Sequence, residues 1–143
     1  MAQAKNKLKW WNALLEIAHL REAPLGVRGE RYAARYLRRQ GMKILARNRT
    51  HGKGEIDLIA LDGRFLVFVE VRTRAAESHI RIEHTIRRRK REKLRTTIVQ
   101  LIRKHGRADL TPRLDVIAIL WPKDAKAPAD LRHYRNAFPL ANW

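Results

Sequence analysis

Between residues 54 and 74 the chain reads GEIDLIALDGRFLVFVEVRTR, two apolar-rich runs that meet at Asp62-Gly63. Runs of this length, rich in Ile, Val and Phe and separated by Asp-Gly, predict a β-hairpin closed by a type I′ turn. MKILARNRT (42–50) predicts a strand before it. RLDVIAILW (113–121), a nearly continuous apolar run between Pro112 and Pro122, predicts a strand buried on both faces. DLRHYRNAF (130–138) alternates as a final strand, and PKDAKAPAD (122–130) reads as the loop before it. Helical spacing marks Gly29 to Gln40, stopped by Gly41, and residues 86–105, where Leu94, Ile98, Leu101 and Ile102 share a face. Residues 7–20 predict a short amphipathic helix, with the pattern breaking at Pro24 and Gly26. The expected organisation is an N-terminal extension (1–27) followed by one domain (28–143). A hairpin followed by a helix and another strand needs an α/β fold with a mixed central sheet flanked by helices.

The hairpin turns sequence into geometry. With Asp62 and Gly63 as its two loop residues, Leu61 opposes Arg64, Asp57 faces Phe68 and Glu55 faces Glu70. Directly opposed residues share a face, so Glu55, Asp57, Phe68, Glu70 and Arg72 lie on one side and Ile56, Leu58, Val67, Val69 and Val71 on the other. Asp57 and Glu70 are then diagonal neighbours, and like charges so placed repel unless a cation or basic partners join them. A hard divalent ion, Mg²⁺ or Mn²⁺, takes one or two carboxylates plus water and a phosphate oxygen, an arrangement suited to phosphodiester hydrolysis. Arg72, on the same face, is placed to neutralise charge developing on the phosphate. The competing reading is a polar hairpin side facing solvent, its carboxylates paired with arginines. In the first domain helix, Arg28, Arg31, Arg35, Arg38 and Arg39 gather on one side while Ala33, Ala34 and Leu37 surround Glu30 on the other. Glu30 is therefore either a charge at a helix terminus or an acid turned toward the hairpin.

Charge narrows the partners. Lys and Arg number 32 against 14 Asp and Glu in 143 residues, a net +18 that no single basic tail supplies. A polyanion partner is expected, and composition does not separate DNA from RNA or either from an anionic membrane surface. Arg47, Arg49, Lys53 and Arg74 flank the hairpin. Arg87, Arg88, Arg89, Lys90 and Arg91 crowd the start of the second helix, with Lys90 continuing the Leu94–Ile98 face toward the sheet edge. These nine are the candidate phosphate contacts. Cysteine is absent, which excludes disulfides, thiolate nucleophiles and Cys-ligated zinc. The six histidines show no paired metal spacing, and Asp115 is expected to pair with a neighbouring arginine. No run approaches the roughly 20 apolar residues of a membrane span, and the N-terminus lacks the cleavage pattern of a signal peptide. The expectation is a soluble, cytoplasmic protein without a small-molecule substrate.

GERYAARYL, GMKILARNRTHGKGEIDLIALDGRFLVFVEVRTR, RLDVIAI and the terminal RNAF together resemble the YraN family of bacterial endonuclease-like proteins, over about Gly29 to Phe138. That resemblance implies a fold similar to PD-(D/E)XK nucleases and Holliday-junction resolvases. It implies Asp57 and Glu70 as ligands of Mg²⁺ or Mn²⁺, Arg72 at the position of the motif lysine, and Glu30 as the acid from the first helix. A homodimer acting on branched or otherwise structured DNA is the implied assembly and substrate. Where the nuclease pattern has Glu-x-Lys, this chain has Glu70-Val71-Arg72, and arginine stays protonated and serves only as donor and charge. A nuclease-like module that binds nucleic acid without turnover therefore stands beside the enzyme.

Overall fold

The computed structural model describes residues 23–75 and 86–140. Along them run α1 (Leu25–Arg39), β1 (Lys43–His51), β2 (Gly54–Asp62), β3 (Phe65–Arg74), α2 (Arg88–His105), β4 (Thr111–Leu120) and β5 (Asp130–Tyr134). The strands form one sheet in chain order, antiparallel throughout except for the parallel pair β3–β4. A parallel neighbour requires a crossover, and the chain makes it with α2. The expected α/β fold with a mixed, helix-flanked sheet is what forms. The expected helix at 7–20 and the extension it belongs to lie outside the described residues.

Both faces of the sheet are covered, which explains the apolar run of β4. On one face Ala33, Ala34 and Leu37 of α1 pack on Leu58, Ala60, Val67, Val69, Ile117 and Ile119. On the other, Leu94, Ile98 and Leu101 of α2 pack on Ile56, Phe68 and Leu114. Removing such groups from water is the main force holding the layers, about 1.5–3 kcal/mol for each large side chain.

Four details depart from the sequence pattern. α1 starts at Leu25, four residues before Gly29, because Pro24 sits at the N-cap, where a missing N–H costs nothing, and Leu25 adds to the apolar cluster. The hairpin turns on Gly63-Arg64, with Asp62 paired to Phe65. Gly63 has φ +57° while Arg64 keeps a negative φ, which suits a type II′ rather than a type I′ turn. Asp62 stays in the strand because Arg113 Nη2 donates to its Oδ2 at 2.9 Å. Ile56 lies in the α2-side cluster, whereas Leu58 lies on the α1 side. The β2–β3 ladder ends at Leu58–Val69, and beyond it strict alternation no longer governs. Finally, β5 stops at Tyr134 and Asn136 turns at φ +49°.

That last turn serves a buried carboxylate. Asp115 is 0% exposed. Its oxygens accept from Arg113 Nε (2.8 Å) and Nη2 (2.9 Å), from His133 Nε2 (2.8 Å) and from the Asn136 N–H (2.9 Å). The arginine pairing expected for Asp115 is present, and it ties β4 to β5 and, through Asp62, to the hairpin. Burial opposes the charge, but the hydrogen bonds from His133, Arg113 and Asn136 outweigh it and hold the carboxyl below the usual aspartate range.

Asp115→Ala leaves the buried Arg113 guanidinium without its main partner and is expected to cost about 3–5 kcal/mol of unfolding free energy at neutral pH. Because the folded-state pKa is depressed, the stabilisation is complete above the unfolded value of 3.8 and is lost as pH falls below it. Urea titrations should therefore show the gap between wild type and variant shrinking from pH 7 to pH 3. A gap that stays constant would contradict this account of the network.

Candidate functional site

The site begins where the two strands of the hairpin part. The β2–β3 ladder, displaced by two from the register expected of an Asp62-Gly63 turn, ends at Leu58–Val69, the pair just before Asp57 and Glu70. There the side chain of Asp57 takes over from the main chain, and its Oδ2 accepts the Val71 N–H at 2.8 Å. Alternation does not carry past that pair, but the two acids remain neighbours, close enough for the charge of Asp57 to act on Glu70.

Glu70 lies in the middle strand and is 3% exposed. Lys90 Nζ, from the first turn of α2, stands 3.3 Å from Glu70 Oε1, and Arg72 Nε stands 3.4 Å from the same oxygen. The Arg72 contact is an ion pair without hydrogen-bond alignment, since the buried Nε–H finds no acceptor. The other carboxylate oxygen, Oε2, is buried with no hydrogen-bond partner. A buried polar atom left unmatched is costly and uncommon, and points to a ligand or ordered solvent at that position.

Burial, followed by the neighbouring charge of Asp57, pushes the Glu70 carboxyl up to about 7, against the opposing pull of Lys90 and Arg72. Asp57 is raised chiefly by burial, opposed by the Val71 N–H, Lys90 and Arg72, with Glu55 adding to the rise. Glu30, half-buried on α1, is raised by burial and by Asp57, while a hydrogen bond with Asn48 works the other way. The α1 acid and the hairpin acids thus lie within one another's fields, as the helical wheel anticipated for Glu30. Each carboxylate makes its neighbours harder to ionise, and a cation among them would relieve all of them.

The basic candidates divide by what they touch. Arg47, Arg49, Lys53, Arg74, Arg87 and Arg89 are exposed. Arg88 pairs with Glu92 (3.0 Å). Lys90 is drawn to Glu70, and Arg91 is held to the fold, its Nε donating to the Ile86 carbonyl (2.9 Å) and its guanidinium lying 4.2 Å from the centre of the Phe138 ring. Burial, then Arg38 and Arg31, lower the Arg47 pKa, so Arg31 and Arg38 of α1 and Arg47 of β1 lie near enough to repel one another. Sequence reading did not find Asn48, which follows no periodic signal, or Lys93, which stands one helical turn after Lys90 and was accessible from that spacing.

The residues present fit a small hard cation. Two carboxylates with an orphaned oxygen match Mg²⁺ or Mn²⁺, which keep most of their waters and accept one or two protein oxygens. Among the described residues no three His, Asp or Glu side chains converge into a closed cage of the kind zinc or calcium prefers.

Comparison with known proteins agrees with the resemblance of the motifs. The family model described as "Uncharacterised protein family UPF0102" matches residues 29–119. A UPF0102 protein of Pelotomaculum thermopropionicum is 41% identical over 114 residues, which cover 80% of this chain and 94% of the relative. One from Carboxydothermus hydrogenoformans is 42% identical over 112 residues, covering 78% and 92%. One from Rhodopirellula baltica is 36% identical over 118 residues, covering 81% and 71%. The chain belongs to UPF0102, the YraN family, and the matched span contains Glu30, Asp57, Glu70, Arg72 and Lys90.

The raised Glu70 pKa has a direct consequence for stability. Ionising a carboxyl whose value moves from 4.5 to about 7 on folding costs the folded state progressively as pH rises across that window. In metal-free buffer, Glu70→Gln should leave Tm unchanged near pH 4.5 and raise it by about 3 °C or more at pH 8. Calorimetry at the two pH values checks this, and a lower Tm of the variant at pH 8 would show that Glu70 is stabilised there as the anion.

Proposed function

We propose that this member of UPF0102 is a nucleic-acid-binding protein that cleaves phosphodiester bonds with a divalent metal, on a frame of the PD-(D/E)XK type, with branched or otherwise structured DNA as substrate. The observation that carries the reading is the pairing of half-buried Asp57 with buried Glu70, whose Oε2 lacks a partner, flanked by two cationic side chains in a chain of net charge +18. Two carboxylates beside ammonium and guanidinium groups suit binding both a metal and the phosphate it acts on.

Asp57 and Glu70 are the residues to hold Mg²⁺ or Mn²⁺, which when bound supplies a Lewis acid at the phosphate and an acidified water. The Val71 N–H orients the Asp57 carboxylate through Oδ2. Lys90 and Arg72 hold Glu70 through Oε1, and Oε2 is left without a partner. With a phosphate bound at the acids, their positive charges would offset the negative charge that grows on it, and such stabilisation is greatest where the groups are already positioned and partly shielded from water. Arg72 contributes donors and charge where the nuclease pattern has a lysine. Glu30, with Asn48, borders the same acids from α1. Arg47, Arg49, Lys53, Arg74, Arg87 and Arg89 supply the sequence-independent grip on the phosphate backbone.

One specific observation favours a second reading. Glu70 Oε1 is already matched by two cations, a state in which the carboxylate serves the fold and nucleic acid binds without turnover.

The test is incubation of the purified protein with branched, flapped and linear DNA, and with RNA, in Mn²⁺. Metal-dependent cutting is expected, reduced by about 100-fold or more in Asp57→Asn and in Glu70→Gln, with DNA affinity preserved. Calorimetric titration of Mn²⁺ should show one site that Asp57→Asn removes. Absence of cutting, or cutting unchanged from wild type in both variants, overturns the catalytic reading; DNA binding that persists without any Mn²⁺ site selects the second.

A further inference from the structure

Beyond Lys90, away from Glu70, lies a recess of about 170 Å³. The end of β2 and one side of α2 form it, with Lys53, Glu55, Lys90, Lys93 and Thr97 in its wall. A single water needs about 10–15 Å³ of such space, so the recess holds several waters at once. That is room for one phosphate group and part of its hydration, and well below the 300 Å³ or more typical of sites for larger organic ligands. Its lining is predominantly polar.

Three ammonium groups against one carboxylate leave the recess positive. Lys53 and Lys93 have no ion-pair partner among the described residues, and Lys90 is shared with Glu70. Such free, compact point charges suit a phosphate better than a planar or neutral group. The walls are also preset. Gly54 is buried against Thr97, where a methyl group at its Cα would overlap Thr97 Oγ1, so strand and helix approach as closely as a glycine allows. Thr97 Oγ1 in turn donates to the Lys93 carbonyl at 2.9 Å, a bond within the helix that leaves the Lys93 side chain free.

A phosphodiester carries one negative charge and must enter and leave a site as a continuous chain. A phosphomonoester carries nearly two charges at neutral pH and ends the chain. We infer that the Lys53–Lys90–Lys93 recess binds the terminal phosphate of a nucleic-acid strand and so sets a strand end beside Asp57 and Glu70. This rests on the reading of the chain as a nucleic-acid-binding protein, and it names the part of the substrate that the site selects.

The experiment measures binding without turnover. Fluorescent single-stranded DNA oligonucleotides of one sequence, bearing a 5′-phosphate, a 3′-phosphate or only hydroxyl ends, are titrated with the full chain in EDTA. At least one phosphorylated oligonucleotide should bind fivefold or more tightly than the hydroxyl form, which identifies the end recognised, and inorganic phosphate should suppress the difference. Lys53→Gln and Lys93→Gln should each reduce the preference below twofold. Arg39→Gln, which removes an equal charge from α1 outside the recess, should retain it. Equal affinity for all three oligonucleotides, a preference that survives both lysine variants, or one that Arg39→Gln also abolishes overturns the inference. Because metal is absent, a failure to cleave in the nuclease assay does not touch this result, and a missing phosphate preference does not touch the nuclease assay.

Discussion

The whole arrangement hangs on one carboxylate placed in the middle strand of a sheet that helices cover on both faces. Charge in such a position is expensive, because water that would solvate it has been replaced by Phe68, Ile56 and their neighbours. Glu70 meets that cost only in part. Lys90 and Arg72 converge on one of its oxygens, the other is left without a donor, and the pKa rises to about 7. The unpartnered atoms gather here, since Arg72 Nε and Thr73 Oγ1 on the same strand also lack hydrogen-bond partners, and that is the reason to read the spot as a place for a ligand.

Asp115 shows what the same fold does with an acid that has only a structural task. It is buried as deeply as Glu70, yet four donor contacts from Arg113, His133 and Asn136 satisfy both of its oxygens, and its pKa falls. The two carboxylates sit on adjacent parallel strands, Asp115 paired in register with Val69, one residue from Glu70. Nearly equal burial with opposite electrostatic outcomes means that the number of donors, rather than depth, separates a structural acid from a candidate functional one.

Lys90 links the carboxylate site to its surroundings. It reaches Glu70 from one side and lines the phosphate-sized recess on the other, so α2 joins the acids to the basic surface. Gly54, by allowing β2 and α2 to approach, keeps that helix in position. A change in how α2 docks would alter the Glu70 ion pair and the recess together, because Lys90 belongs to both.

Hydrophobic spacing and turn signals determined the number, type and order of the described elements, the α/β class and the faces of the paired part of the hairpin, because period-2 and period-3.6 patterns are local properties of the chain. Within the ladder from Leu58 to Val69 the turn could be placed one residue early without harm, because displacing the register by two leaves each paired residue on its face. Motif resemblance carried the family and the role expected of Arg72. What the chain could not show locally was contact between distant segments. That Lys90 meets Glu70, that Arg91 lies over Phe138, that Ile56 turns to the α2 side, and that Arg113 holds Asp62 in its strand all depend on how α2, β4 and the segment after β5 dock on the hairpin. Those meetings are decided by packing across 20 to 50 residues of sequence, where no periodicity reaches, and the tertiary structure alone left one oxygen of Glu70 without a partner.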